Sequence, residues 1–184
     1  MQKDGHLAVL ATASRAKPSV VHELDLSGFG SLDPSHASLV LCSPSMQHLR
    51  MLCVYSDQDF VDIHPTIQQA IVQLPHLHTL RLPASPTLGF IHPCEPDLGF
   101  LSQVPALTAL HIQDTFTTEQ FPSRLSQVAE SCSNLTDLSV CWPSLYGPSS
   151  WKNFFAHPHT QQLRVLKLQK FYVGLILQAI GTQQ

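Results

Sequence analysis

Eleven histidines and five cysteines are the residues of this 184-residue chain best suited to chemistry, and their spacing decides what they can do. Two histidine pairs stand two residues apart, His76-x-His78 and His157-x-His159. Residues two apart on a strand share a side, so either pair offers two imidazoles to one metal ion. Zinc takes four protein ligands, or three with an open position, and no third Cys, His or carboxylate lies at a characteristic spacing. His76 and His78 flank Leu77, so solvent-facing histidines on a strand margin account for the first pair, and no metal site is expected. Cys42, Cys53, Cys94, Cys132 and Cys141 form no C-x-x-C pair. Their odd number argues against a disulfide framework and for a reducing compartment, cytoplasmic or nuclear.

Nucleophilic catalysis needs a Ser or Cys activated by a base that a third group orients. The chain has no Gly-x-Ser-x-Gly, and the serines of Gly147-Pro148-Ser149-Ser150 precede Trp151 where Ser149 or Ser150 is expected to cap a helix. Neither G-x-G-x-x-G nor G-x-x-x-x-G-K-[ST] occurs, so no nucleotide cofactor has an anchor. Asn134-Leu135-Thr136 matches a glycosylation acceptor, but Leu135 belongs to the apolar pattern described below. No catalytic, cofactor or metal residues are assigned, and an enzyme is not expected.

Composition points to a folded chain without a polyanionic partner. Hydrophobic residues make up 43% and charged residues only 12%, with a formal net charge of -3, so the basic footprint of a nucleic-acid binder is missing. The apolar run Leu7 to Ala13 follows Lys3, which Asp4 offsets, and so lacks the basic start of a secretory signal. Tyr172 to Ile180 is far shorter than the roughly 20 residues that span a bilayer. Neither nucleic acid nor membrane is expected as a partner.

One pattern recurs along the chain: Val21-x-x-Leu24-x-Leu26, Leu49-x-x-Leu52-x-Val54, Leu77-x-x-Leu80-x-Leu82, Leu107-x-x-Leu110-x-Ile112, Leu135-x-x-Leu138-x-Val140 and Leu163-x-x-Leu166-x-Leu168. The central leucines, 24, 52, 80, 110, 138 and 166, advance by 28, 28, 30, 28 and 28. The last two aliphatics of each copy share a strand face, and the first anchors the approach. One such strand cannot cover its own apolar face, so the copies must stack. Between strands the period changes. Ile67, Ala70, Ile71 and Leu74, and Leu125, Val128, Ala129 and Cys132, fall at i, i+3, i+4 and i+7, the stripe of an amphipathic helix. Leu98, Leu101 and Val104 repeat the stripe more briefly, Trp151, Phe154 and Phe155 repeat it with aromatics, and Leu7 with Leu10 suggests a helix before the first strand. Pro34 and Pro44 confine the helix near Leu39 and Leu41 to about two turns. Pro75 and Pro105 mark helix exits.

Leu77-His78-Thr79-Leu80-Arg81-Leu82 and its five relatives resemble leucine-rich repeats. The 28-residue spacing with a helix per unit is similar to the ribonuclease-inhibitor-like subclass, also found behind F-box domains. The resemblance covers roughly residues 5 to 180. It implies an α/β solenoid of about six repeats, with a parallel sheet on the concave face and helices on the convex face. The family's Asn or Cys, three residues after the last strand aliphatic, is replaced by Phe29, Asp57, Ser85, Thr115, Pro143 and Phe171, which suggests an irregular array. The chain is expected to be a single solenoid domain over 1–184, truncated or part of a longer array, because it stops soon after an apolar stretch where the next helix should form. No F-box-like module precedes the first repeat.

In such a solenoid the residues between the buried aliphatics face outward. They form three columns: Glu23, Met51, Thr79, Ala109, Asp137 and Val165; Asp25, Cys53, Arg81, His111, Ser139 and Lys167; and Ser27, Tyr55, Pro83, Gln113, Cys141 and Gln169. Tyr55, Arg81, His111, Gln113, Trp142 and Lys167 are the candidate protein-binding residues, since aromatic and arginine side chains dominate interfaces. Phe29, Phe116, Trp142 and Phe171 also suit a buried aromatic spine. The loop Pro83 to Pro96 holds the 30-residue step and is a candidate recognition insertion, or a tolerated surface one. The resulting expectation is a noncatalytic protein-binding module, in the form the resemblance implies the substrate-recognition repeats of an F-box-type ubiquitin ligase adaptor. A Skp-type adaptor would then be a partner only through an F-box outside this chain. The alternative is a structural fragment or decayed paralogue without a dedicated partner.

Overall fold

The aliphatic triplets build one sheet. A computed structural model describes residues 20–26, 33–54, 63–82, 98–113, 121–141 and 148–169. Among them lie the strands β1 (Glu23–Asp25), β2 (Met51–Cys53), β3 (Thr79–Leu82), β4 (Ala109–Gln113), β5 (Asp137–Cys141) and β6 (Val165–Gln169). They pair in chain order and all in parallel. The register sets Leu24, Leu52, Leu80, Leu110, Leu138 and Leu166 side by side, one per strand. The irregular step does not disturb this row. Leu101 and Val104 stand as far before Leu110 as Ile71 and Leu74 stand before Leu80, so the two extra residues fall upstream of Leu101 and leave the strand register intact.

Four α-helices fall within the described residues: α1 (Pro34–Leu41), α2 (Pro65–Val72), α3 (Phe121–Ser131) and α4 (Pro148–Ala156). Short 3-10 helices occupy Pro44–Met46, Gly99–Gln103 and Pro158–Gln162. Each connection touches the next, α1 against α2, α2 against Gly99–Gln103, that segment against α3, and α3 against α4. They therefore form a second layer over the leucine side of the sheet. Leu52, Leu77, Leu80 and Leu110 are fully buried there, in one core with Val40, Leu41, Ile71, Leu101, Val128 and Phe154. Burying one such side chain contributes roughly 1.5–3 kcal/mol.

Local chemistry explains where the helices begin. Pro34, Pro44, Pro65, Pro148 and Pro158 each take the first position of their segment, where the missing N–H is no loss and the fixed φ suits the helix. Before α1 the Asp33 carboxylate accepts from the amides of Ser35 (2.8 Å) and His36 (3.3 Å), and before α2 the His64 ring nitrogen accepts from Thr66 N–H at 3.2 Å. Two expectations shift in detail. Because α4 starts at Pro148, Ser149 and Ser150 lie inside its first turn rather than at its cap. The stripe Leu98, Leu101, Val104 buries as expected, but on a 3-10 helix instead of an α-helix, since Pro105 follows too soon for another turn. The suggested helix at Leu7 and Leu10, the loop Pro83 to Pro96, the family Asn positions and the stretch Tyr172 to Ile180 lie outside the described residues.

The entry to β2 through β6 is the same. The anchor amides of Leu49, Leu77, Leu107, Leu135 and Leu163 donate to the carbonyls of Met46, Leu74, Val104, Cys132 and Thr160, three residues earlier. Just before each of β1 to β5 one carbonyl serves the next unit twice: His22, Arg50, His78, Thr108 and Thr136 each accept two successive amides at 2.8–3.1 Å. This ladder uses only backbone, so it holds whether the side chain is His, Arg or Thr.

Candidate functional site

The sheet face opposite the helices carries the outward residues of the strands, and the pairing turns sequence spacing into columns. One reads Glu23, Met51, Thr79, Ala109, Asp137 and Val165; the other reads Asp25, Cys53, Arg81, His111, Ser139 and Lys167. Every one of these residues is exposed or half-buried. No described element covers them.

Charge is distributed unevenly over this face. Glu23 and Asp25 make the β1 end acidic, whereas Arg81 on β3 and Lys167 on β6 are exposed cations in the second column. His111 lies between them. Partial burial, then the charges of Arg81 and Lys167, hold its pKa below the usual 6.5, with Asp137 opposing. The imidazole is thus biased toward its neutral form. Asp137 is itself engaged, accepting from Thr136 Oγ1 at 2.6 Å. Beside the acidic end, burial and the hydrogen-bonded Asp25 carboxylate push the Cys53 thiol up to about 11, against a smaller pull from Arg81. A thiol so protonated is a poor nucleophile.

Of the residues singled out from sequence, Arg81 and His111 are register neighbours on β3 and β4, and Lys167 stands two strands beyond His111 in the same column. Gln113 pairs with Cys141, which pairs with Gln169. Tyr55 and Trp142 lie outside the described residues. The residue undervalued from sequence is Asp137, whose charge reaches His111 from the neighbouring strand and column. Its signal was present in the 28-residue step that aligns Ala109 with Asp137.

The two histidine pairs behave differently: His76 and His78 turn to different neighbours, whereas the His157 and His159 rings meet edge to face with centroids 4.9 Å apart. His78 Nδ1 sits 2.9 Å from the Ala106 carbonyl of the following unit, while the His76 ring stacks on His48 of the preceding one, centroids 5.9 Å apart and planes within 4°. His157 Nδ1 accepts from the His159 amide at 3.4 Å, and His159 Nδ1 lies 3.0 Å from the Ala129 carbonyl. Among the described residues no three His, Cys, Asp or Glu side chains gather as a metal site. Along the same rim Asn134 Nδ2 donates to the Pro105 carbonyl at 2.9 Å, and Gln162 Nε2 donates to that of Ser133. These side chains tie one unit to its neighbour. Among the described residues no helix is long and apolar enough to cross a membrane. No protein-family model matches the chain, and no curated protein matches it.

Proposed function

We propose that this chain is a noncatalytic protein-binding module, an array of leucine-rich repeats of the ribonuclease-inhibitor-like kind that docks a partner on its open strand face. The observation that carries this reading is the contrast between the two faces of one sheet: a row of leucines, buried from Leu52 to Leu138, on one face, and on the other Arg81, His111, Asp137 and Lys167 with nothing described above them. A parallel sheet is ordinarily covered on both faces, so an open face with mixed charge is a surface kept for something else. Exposed side chains on rigid strands hold their positions without further ordering, which lowers the entropic cost of docking.

In its fullest form this is the substrate-recognition part of an F-box-type ubiquitin ligase adaptor in the cytoplasm or nucleus. Affinity purification of the full-length gene product tests both levels. The docking reading expects proteins that are captured by the native chain and by Gln69→Arg, on exposed α2 surface, to be lost with Ala109→Arg in the middle of the strand face. Equal capture by all three would remove it. The ligase reading further expects a Skp-type adaptor and a cullin among the captured proteins, and fails without them.

A further inference from the structure

We infer that the strand face takes an extended acidic segment of a protein partner, in which two carboxylates four residues apart meet Arg81 and Lys167. The inference rests on the docking reading above and adds the chemistry of the occupant. Arg81 and Lys167 are exposed, share one register column and are separated by three strand spacings, β3 to β6. At about 4.8 Å per spacing the cations stand roughly 14 Å apart. An extended chain laid across the strands advances about 3.4 Å per residue, so four residues cover roughly the same distance. Residues four apart on such a chain also point to one side.

The column between the two cations holds His111 and Ser139 and no carboxylate. The acid on the intervening strands, Asp137, belongs to the adjoining column; it keeps its charge while accepting from Thr136, so it weakens the site without entering the column between the cations. At the other end Glu23 and Asp25 repel an acidic chain, so the partner segment is neutral or basic over β1 and β2. The face therefore selects both a spacing and a polarity.

The test uses short dye-labelled peptides and the full chain in fluorescence anisotropy. One peptide carries two glutamates four residues apart, a second carries them three apart, a third has glutamine at both positions, and a fourth has phosphoserine there. The first should bind, weaken as salt rises, and lose roughly fivefold or more when the spacing or the charge is changed. Arg81→Gln and Lys167→Gln should each weaken it severalfold, whereas Arg50→Gln and Arg164→Gln, exposed on the rim outside the column, should not. Circular dichroism checks that each variant folds, and the salt dependence of the native chain gives an independent reading. Equal binding of the glutamine peptide, equal losses from the rim variants, or no binding by the first peptide would overturn the inference. Binding by the phosphoserine peptide alone would overturn it in favour of a phosphorylated partner. Ala109→Arg still abolishing partner capture under any of these results would leave the docking surface standing without its acidic occupant.

Discussion

At the scale of single residues, the repeat makes unusual side chains visible by comparison with their equivalents. Ser43 stands where other units place Ile71, Leu101 and Ala129, nine residues before the central leucine. Its hydroxyl is buried and, among the described residues, has no hydrogen-bond partner. Ser43→Ala should therefore raise stability, by about 1 kcal/mol in chemical denaturation, because an unmet buried donor is removed; a loss of stability would count against that assignment. His111 predicts a pH effect of definite sign. Its folded pKa lies below the unfolded 6.5, so the neutral ring stabilises the fold fully above that pH, and the contribution is lost as pH falls through the folded value. His111→Gln should shrink the drop in melting temperature between neutral and mildly acidic pH, measured against the native chain. Thiols differ as well. Burial pushes Cys132 up to about 12 and Cys53 to about 11, whereas Cys42 is exposed. Alkylation of the folded chain followed by peptide mass mapping should label Cys42 well before the other two.

At the scale of elements, the central strands carry more of the core than the flanking ones. Leu80 on β3 is fully buried beneath α2 and its neighbours, while Leu24 on β1 and Leu166 on β6 are half-buried. Removing a buried leucine leaves a cavity between layers that cannot close, at a cost of about 3–5 kcal/mol. Leu80→Ala should fall in that range and Leu166→Ala well below it; equal losses would contradict the layered core described above. The connections follow the same logic from the other side. Prolines at first positions fix where helices start, and the turns closing on Met46, Leu74, Val104, Cys132 and Thr160 fix where strands begin. Thr160 joins this apolar position because its hydroxyl lies 2.9 Å from the Phe154 carbonyl and 2.7 Å from that of His157, which meets its need for a hydrogen bond.

At the scale of the whole molecule, each unit bonds to its neighbours through the backbone ladder and the rim side chains, so stability should vary along the array. Amides such as His78, Thr79, Thr108 and Ala109, inside the ladder with units on both sides, are expected to exchange with solvent more slowly than those of Arg50 and Met51, which donate to the His22 carbonyl just before the short flanking strand β1. Hydrogen exchange followed by mass spectrometry reads this directly. Uniform protection would mean that the units open together. The same strand pairing lines up charges from different strands across the open face without any loop having to place them.

The sequence by itself determined the strands, their number among the described residues and the face each presents, because a two-residue alternation within steps of 28 or 30 residues admits one register that sets all six central leucines side by side on the helix face. It also named Arg81, His111 and Lys167. Only the tertiary structure decided what surrounds them. That burial, then Arg81 and Lys167, bias His111 toward its neutral form, that Asp137 accepts from Thr136, and that His76 and His78 serve opposite neighbours are outcomes of how the units pack. Spacing along a chain fixes which residues share a column; electrostatic and hydrogen-bond coupling depend on how far apart those columns come to rest.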